Sequence, residues 1–138
     1  MSHKISVVLT TFNRAQFLEK ALISLACQTL AKETYEVIVI DDGSSDKTRE
    51  VIKLIDPILP VKYSYQQNSG LASAKNHGLF LAGSDIVLFL DDDDISDSNL
   101  IEEHLIAHRS NPRPSAIILG KTNIASSLQA DPLMHYVT

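Results

Sequence analysis

The sequence has a single cysteine, Cys27. This excludes an intrachain disulfide and a metal site built from thiolates, and leaves Cys27 to be read as a core residue. Long apolar runs are missing as well. The longest, such as Ile86 to Leu90, have five residues, against the ~18–20 needed to cross a bilayer. The opening "MSHKISVVLTT" also lacks the apolar stretch of about 7–15 residues that a secretory signal requires. A cytoplasmic or cytoplasm-facing chain with no transmembrane segment is expected. There is no basic run: twelve basic residues are scattered among seventeen acidic ones, for a net charge of −5. That distribution disfavours nonspecific binding to nucleic acid or to anionic membranes. Gly70, Gly78 and Gly83 form neither a dinucleotide nor a P-loop fingerprint, so NAD and ATP are not indicated.

What remains is a chain of 138 residues, 44% apolar and 21% charged, which is the size and balance of one globular domain. Apolar runs alternate with helix-like segments in a βαβαβαβαβ order. Strands are expected at residues 4–10, 35–41, 61–66, 85–91 and 115–120. "ISVVL", "VIVI", "IVLFL" and "AIIL" read as continuous runs rather than alternations, the mark of strands buried on both faces. The fold class is therefore α/β: a Rossmann-like parallel sheet with helices on both faces. "NRAQFLEKALISLACQ" predicts a helix over 14–28, with Phe17, Leu18, Ala21, Leu22 and Leu25 at helical spacing and Asn13 as its cap. "SDKTREVIKLID" starts on the capping residues Ser45 and Asp46 and ends before Pro57. "GLASAKNHGLFLA" and "SDSNLIEEHLIAHRS" supply two more helices, the second placing His104 and His108 on a solvated surface. From Lys121 onward the pattern fades into loop.

Ligands of an open parallel sheet bind at the carboxyl ends of its strands. The unusual polar residues collect there: "TTFN" after the first strand, "DDGSSD" after the second, "QNSG" after the third and Asp91 to Asp94 after the fourth. Two unit charges roughly 6–7 Å apart repel by about 2–3 kcal/mol at an effective dielectric near 20, so four carboxylates in a row call for compensation. A hard cation with oxygen ligands, Mg²⁺ or Mn²⁺, answers that need. An EF-hand count places Asp92, Asp94, Ser96 and Glu103 at ligand positions, but the obligatory glycine is Asp97 and a strand precedes the loop. Two further classes share an acidic strand-end pocket. A receiver-like signalling module would use Lys121 at a late strand end, and a Mg²⁺-dependent phosphohydrolase would use a nucleophilic aspartate.

"ISVVLTTFNRAQFLEKALISLACQT", "YEVIVIDDGSSDKT", "NSGLASAKNHGL" and "DIVLFLDDDD" resemble, in order and spacing, the nucleotide-sugar-binding half of family 2 glycosyltransferases, which have the GT-A fold. The resemblance covers residues 4–110. It implies a donor domain for a nucleoside-diphosphate sugar, with uracil as the usual base, and inverting transfer to a saccharide, lipid or protein acceptor. It places Thr10 and Asp42 at the base. It puts the "DXD" carboxylates on Asp91 and Asp93, with Asp93 as direct metal ligand and Asp91 or Asp92 at the ribose or a metal-bound water. A run of four aspartates admits more than one register. Lys75 stands where the family often has arginine; it keeps the charge for a phosphate or base contact but loses the bidentate fork. The family's catalytic base comes later than position 138, so the resemblance implies a single, C-terminally incomplete domain over 1–138 that binds donor without transferring sugar.

Overall fold

The β-branched and leucine-rich run Ile5–Thr11 forms strand β1, and all seven of its residues are buried. In this computed structural model, which describes residues 3–124, β1 pairs in parallel with β2 (Tyr35–Asp41) on one side and β4 (Val87–Asp91) on the other. Strand β3 (Val61–Tyr65) joins outside β2, giving the order β3-β2-β1-β4. The register aligns Thr11 with Asp41 and Thr10 with Asp91. Three strands therefore end together at one edge, and their loops start from a common line.

Four helices alternate with the strands: α1 (Ala15–Ala26), α2 (Thr48–Ile55), α3 (Leu71–Leu81) and α4 (Leu100–Ser110). Because side chains alternate along a strand, Ile5, Val7 and Leu9 face one way and Val8 the other. The first set forms the main core with Leu18, Leu22 and Leu25 of α1, Val51 and Ile55 of α2, and Ile101 and Leu105 of α4. On the opposite side, Val8, Ile38 and Ile40 meet Ala74 of α3. Helices thus cover both faces, as the apolar runs require. The α3 face is thin, and close approach substitutes for bulk. A methyl group at Gly78 would lie 2.3 Å from Val8 Cγ1 and 3.4 Å from Ile40 Cγ1.

Several expectations need correction. Residues 115–120 form no strand: Ile117 and Leu119 are 85% and 90% exposed, and no described strand pairs with them. An apolar run cannot be a strand without a neighbour for its N–H and C=O groups. Strand β4 is an edge and only partly buried, with Phe89 open to solvent, so its apolar sequence does not mean two covered faces. Cys27 is exposed just past the end of α1 rather than in the core. His104 faces inward beside Leu105 and is buried, and burial pushes its imidazole below the ordinary range, with His108 adding to the effect. Of the expected loop after Lys121, residues 121–124 are irregular and 125–138 lie outside the described residues. Among the described residues, no helix is long and apolar enough to cross a membrane.

Val8 is stiff at χ1 and fully enclosed, so it cannot swing away from an added methyl. Gly78→Ala is expected to destabilise the fold by about 1–3 kcal/mol despite the better helix propensity of alanine. Urea unfolding should register it as a lower midpoint with an unchanged slope.

Candidate functional site

An open cleft of about 550 Å³ lies at the carboxyl ends of β1, β2 and β4, lined by Thr10, Phe12, Arg14, Asp42 and Asp91 to Asp93 among others. Two loops that shape its rim lock onto each other. Asn13 takes a left-handed conformation (φ 53°), which asparagine tolerates better than most residues. Its backbone N–H donates to Ser44 Oγ, and its Oδ1 accepts from the N–H groups of Ser45 and Asp46. In return Asp46 Oδ2 accepts from Ala15 N–H in the first turn of α1, while Oδ1 accepts from Thr48 N–H and Oγ1 at the start of α2. Asp46 therefore serves two helix starts. Burial pushes its carboxyl up, but the bonds from Thr48 and Ala15 outweigh this, and it titrates below the ordinary range. Asn13, expected to cap α1, instead serves the loop before α2.

At the end of β2 the two aspartates have separate partners. Asp41 is fully buried and accepts from Tyr63 Oη at 2.6 Å and Ser44 N–H at 2.8 Å. Burial and this bond push the Tyr63 phenol up to about 12, against the opposing pull of Arg49. Asp42 reaches across to the β3–α3 loop. Oδ1 accepts from Gln66 Nε2 (2.7 Å) and Ser69 N–H (2.8 Å), and Oδ2 from Gly70 N–H (2.9 Å). A carboxylate has about four lone-pair positions, so one on Oδ2 is left unused by these three bonds. Burial raises the Asp42 carboxyl, and its three donors more than offset that, leaving it below the ordinary range.

Asp91 closes β4, and the chain then turns away from the sheet through Asp92, Asp93 and Asp94. Asp94 N–H donates to the Asp91 carbonyl, and Asp94 Oδ2 accepts from Asp91 N–H. Asp92 points inward, buried, and accepts from Thr11 Oγ1 at 2.8 Å. Burial pushes its carboxyl up, only partly countered by Thr11 and Arg14. Asp91 and Asp93 point outward and are 64% and 46% exposed. Arg14 lies across the turn, its Nη2 2.6 Å from Asp93 Oδ2 and its Nε 3.3 Å from Asp92 Oδ1. Lys75, from α3, sits 3.6 Å from Asp91. Further along, Ser96 N–H donates to Ser24 Oγ of α1, and Ile101 N–H at the start of α4 donates to Gln28 Oε1 just past the end of α1.

Thr10, Asp42, Asp91, Asp92 and Asp93 thus border one cleft, with Lys75 on its flank. Among the described residues, no three His, Cys, Asp or Glu side chains converge into a ready-made metal cage. Arg14 and Thr11 are the residues that sequence reasoning missed. The signal was available in "TTFNR", which puts the only basic residue of the loop after β1 beside a cluster in need of positive charge. Lys121 ends no strand, which removes the lysine that a receiver-like site would use.

Asp42 yields a pH-dependent prediction. Because its folded pKa is depressed, its stabilisation is complete above the unfolded value of about 3.9 and is lost as pH falls through the folded value. In Asp42→Asn an amide NH₂ would oppose one of the backbone donors of the 69–70 loop. The variant is expected to be about 1–3 kcal/mol less stable at neutral pH. In urea titrations across pH, the gap from wild type should stay level down to about pH 5 and narrow below about pH 4.

The family model for glycosyl transferase family 2 matches residues 6–124. A validoxylamine A glucosyltransferase of Streptomyces hygroscopicus subsp. jinggangensis is 41% identical over 118 residues, 84% of this chain and 28% of that protein. Staphylococcus aureus TarS, solved in complex with UDP-GlcNAc, superposes with a TM-score of 0.74 at 31% identity, over 78% of this chain and 31% of that one. A mannosyltransferase of Pyrobaculum calidifontis, solved with GDP-Man and Mn²⁺, gives 0.65 at 25% identity, over 72% of this chain and 30% of that one. The chain spans under one third of each of these three proteins. The parallel sheet, the acidic turn after β4 and the match over most of the chain lead to one conclusion: the chain belongs to glycosyl transferase family 2.

Proposed function

We propose that the cleft binds a nucleoside-diphosphate sugar, with UDP as its nucleotide, through a divalent cation, as the donor site of an inverting glycosyltransferase. The observation that carries this reading is the convergence on one cleft of Asp42 from β2 and Asp91 to Asp93 from β4. Two roles are separated there by burial. Asp42 is tied into a rigid loop and has one acceptor position left, suited to a single donor such as the imide N–H of uracil. Thr10 borders the same region from the end of β1.

Asp91 and Asp93 would hold the cation. Both are outward and both supply only oxygen. Mg²⁺ and Mn²⁺ use a few carboxylates together with substrate phosphate and water, so the pair suffices without a protein cage. When bound, the ion supplies a Lewis acid that stabilises charge on the departing diphosphate oxygen. Asp92, buried on Thr11, orients the turn that presents its two neighbours. Lys75 brings a further positive charge to the phosphate side of the cleft. The TarS complex with UDP-GlcNAc and the mannosyltransferase complex with GDP-Man and Mn²⁺ support both the donor class and the ion.

Titration calorimetry of UDP into the chain tests this directly. Binding with Mn²⁺ is expected, with loss in EDTA and a loss of about tenfold or more in Asp93→Ala, whose remaining carboxylate gives the ion a poorer site. UDP that fails to bind a folded chain in the presence of Mn²⁺ would reject the reading.

A further inference from the structure

The acidic turn is not waiting bare for a cation. The run of four carboxylates is met by two cationic side chains, Arg14 on Asp92 and Asp93 and Lys75 on Asp91, while Asp94 accepts from Asp91 N–H, so two negative charges stay uncompensated. The two cations are held differently. Lys75 makes one loose contact of 3.6 Å with the exposed Asp91. Arg14 is fixed in three directions: Nη2 on Asp93, Nε on buried Asp92, and its guanidinium carbon 4.8 Å from the centre of the Phe17 ring. Asp92 is itself fixed by Thr11. Breaking the bond to Asp93 would therefore leave Arg14 anchored by its other two contacts, with only one hydrogen bond exchanged.

We propose that Arg14 is a built-in competitor for the divalent ion, holding Asp93 in the ion-free protein and yielding it when the ion arrives. The proposal rests on the reading that Asp93 receives the metal. Nη2 occupies Asp93 Oδ2, so an ion that takes that oxygen displaces the short Nη2 bond, and an ion on either oxygen remains near a guanidinium charge that repels it. Arg14 thus preserves the turn's geometry without metal and lowers the site's affinity for the bare ion. A residue that merely supported the fold would act in the opposite sense, since its removal would weaken the site.

The sign of the effect provides the test. Mn²⁺ is titrated into the 138-residue chain and into Arg14→Gln and Arg14→Lys, without and with UDP, and the free ion is followed by its six-line electron paramagnetic resonance signal. Arg14→Gln is expected to bind Mn²⁺ about tenfold more tightly than wild type without nucleotide. Arg14→Lys keeps the charge but cannot span both carboxylates, so it should shift the same way by less. If circular dichroism shows Arg14→Gln unfolded, the direction of the Arg14→Lys shift decides. Binding by the folded variants that equals or falls below wild type overturns the role of Arg14 while leaving the metal site standing. Absence of Mn²⁺ binding by all three proteins, with or without UDP, overturns the metal reading and this proposal with it.

Discussion

Negative charge gathered at the ends of parallel strands has to be compensated, and the site takes its form from how that is done here. Asp41, Asp42 and Asp92 are buried, yet each has specific donors: Tyr63 and Ser44, the 66–70 segment, and Thr11 with Arg14. Asp41 and Asp92 are thereby structural ties, because removing a donor would strand a charge in a poorly solvated place, while Asp42 keeps one acceptor position beyond its three donors. Within the run of four, Asp91 and Asp93 are the exposed ones, each paired with a cation at the surface. Burial thus sorts a chemically uniform run into residues that shape the site and residues free to meet a ligand.

The same sorting explains how much could be read from the sequence. The sheet, its parallel sense and the edge that carries the cleft follow from the apolar runs and from the positions of "DDGSSD" and "DDDD". These features are local or depend on well-obeyed rules of connection. The roles within "DDDD" were not legible. Whether an aspartate points in or out depends on Thr11 and Arg14, some eighty residues away in the chain. Asn13 and Asp46 each looked like a cap for the helix that follows it. In fact Asp46 also caps α1 and Asn13 serves the loop before α2, because the β1–β2 register brings those loops together. The absent fifth strand has a similar cause. Residues 115–120 have strand composition, but a strand is a relation between two segments, and composition reports only one of them.

Electrostatics and packing divide the molecule. The main core of α1, α2, α4 and the sheet is broad and aliphatic, whereas the α3 side relies on Gly78 lying against Val8. The same helix brings Leu71 and Ala74 of its first turn to the cleft and sets Lys75 beside Asp91. A modest apolar contact on one face therefore helps to position the charged residues at the sheet edge.

The mutual lock between Asn13 and Asp46 makes the β1–α1 and β2–α2 loops one mechanical unit. Each loop alone would sample many conformations, and a ligand touching both would have to freeze both. With the lock in place that ordering is complete when the chain folds, so any ligand entering the cleft meets a rim already in position. The lock also couples the two loops in evolution: a change at Asn13 alters what Asp46 must do, and the two positions should drift as a pair rather than one at a time.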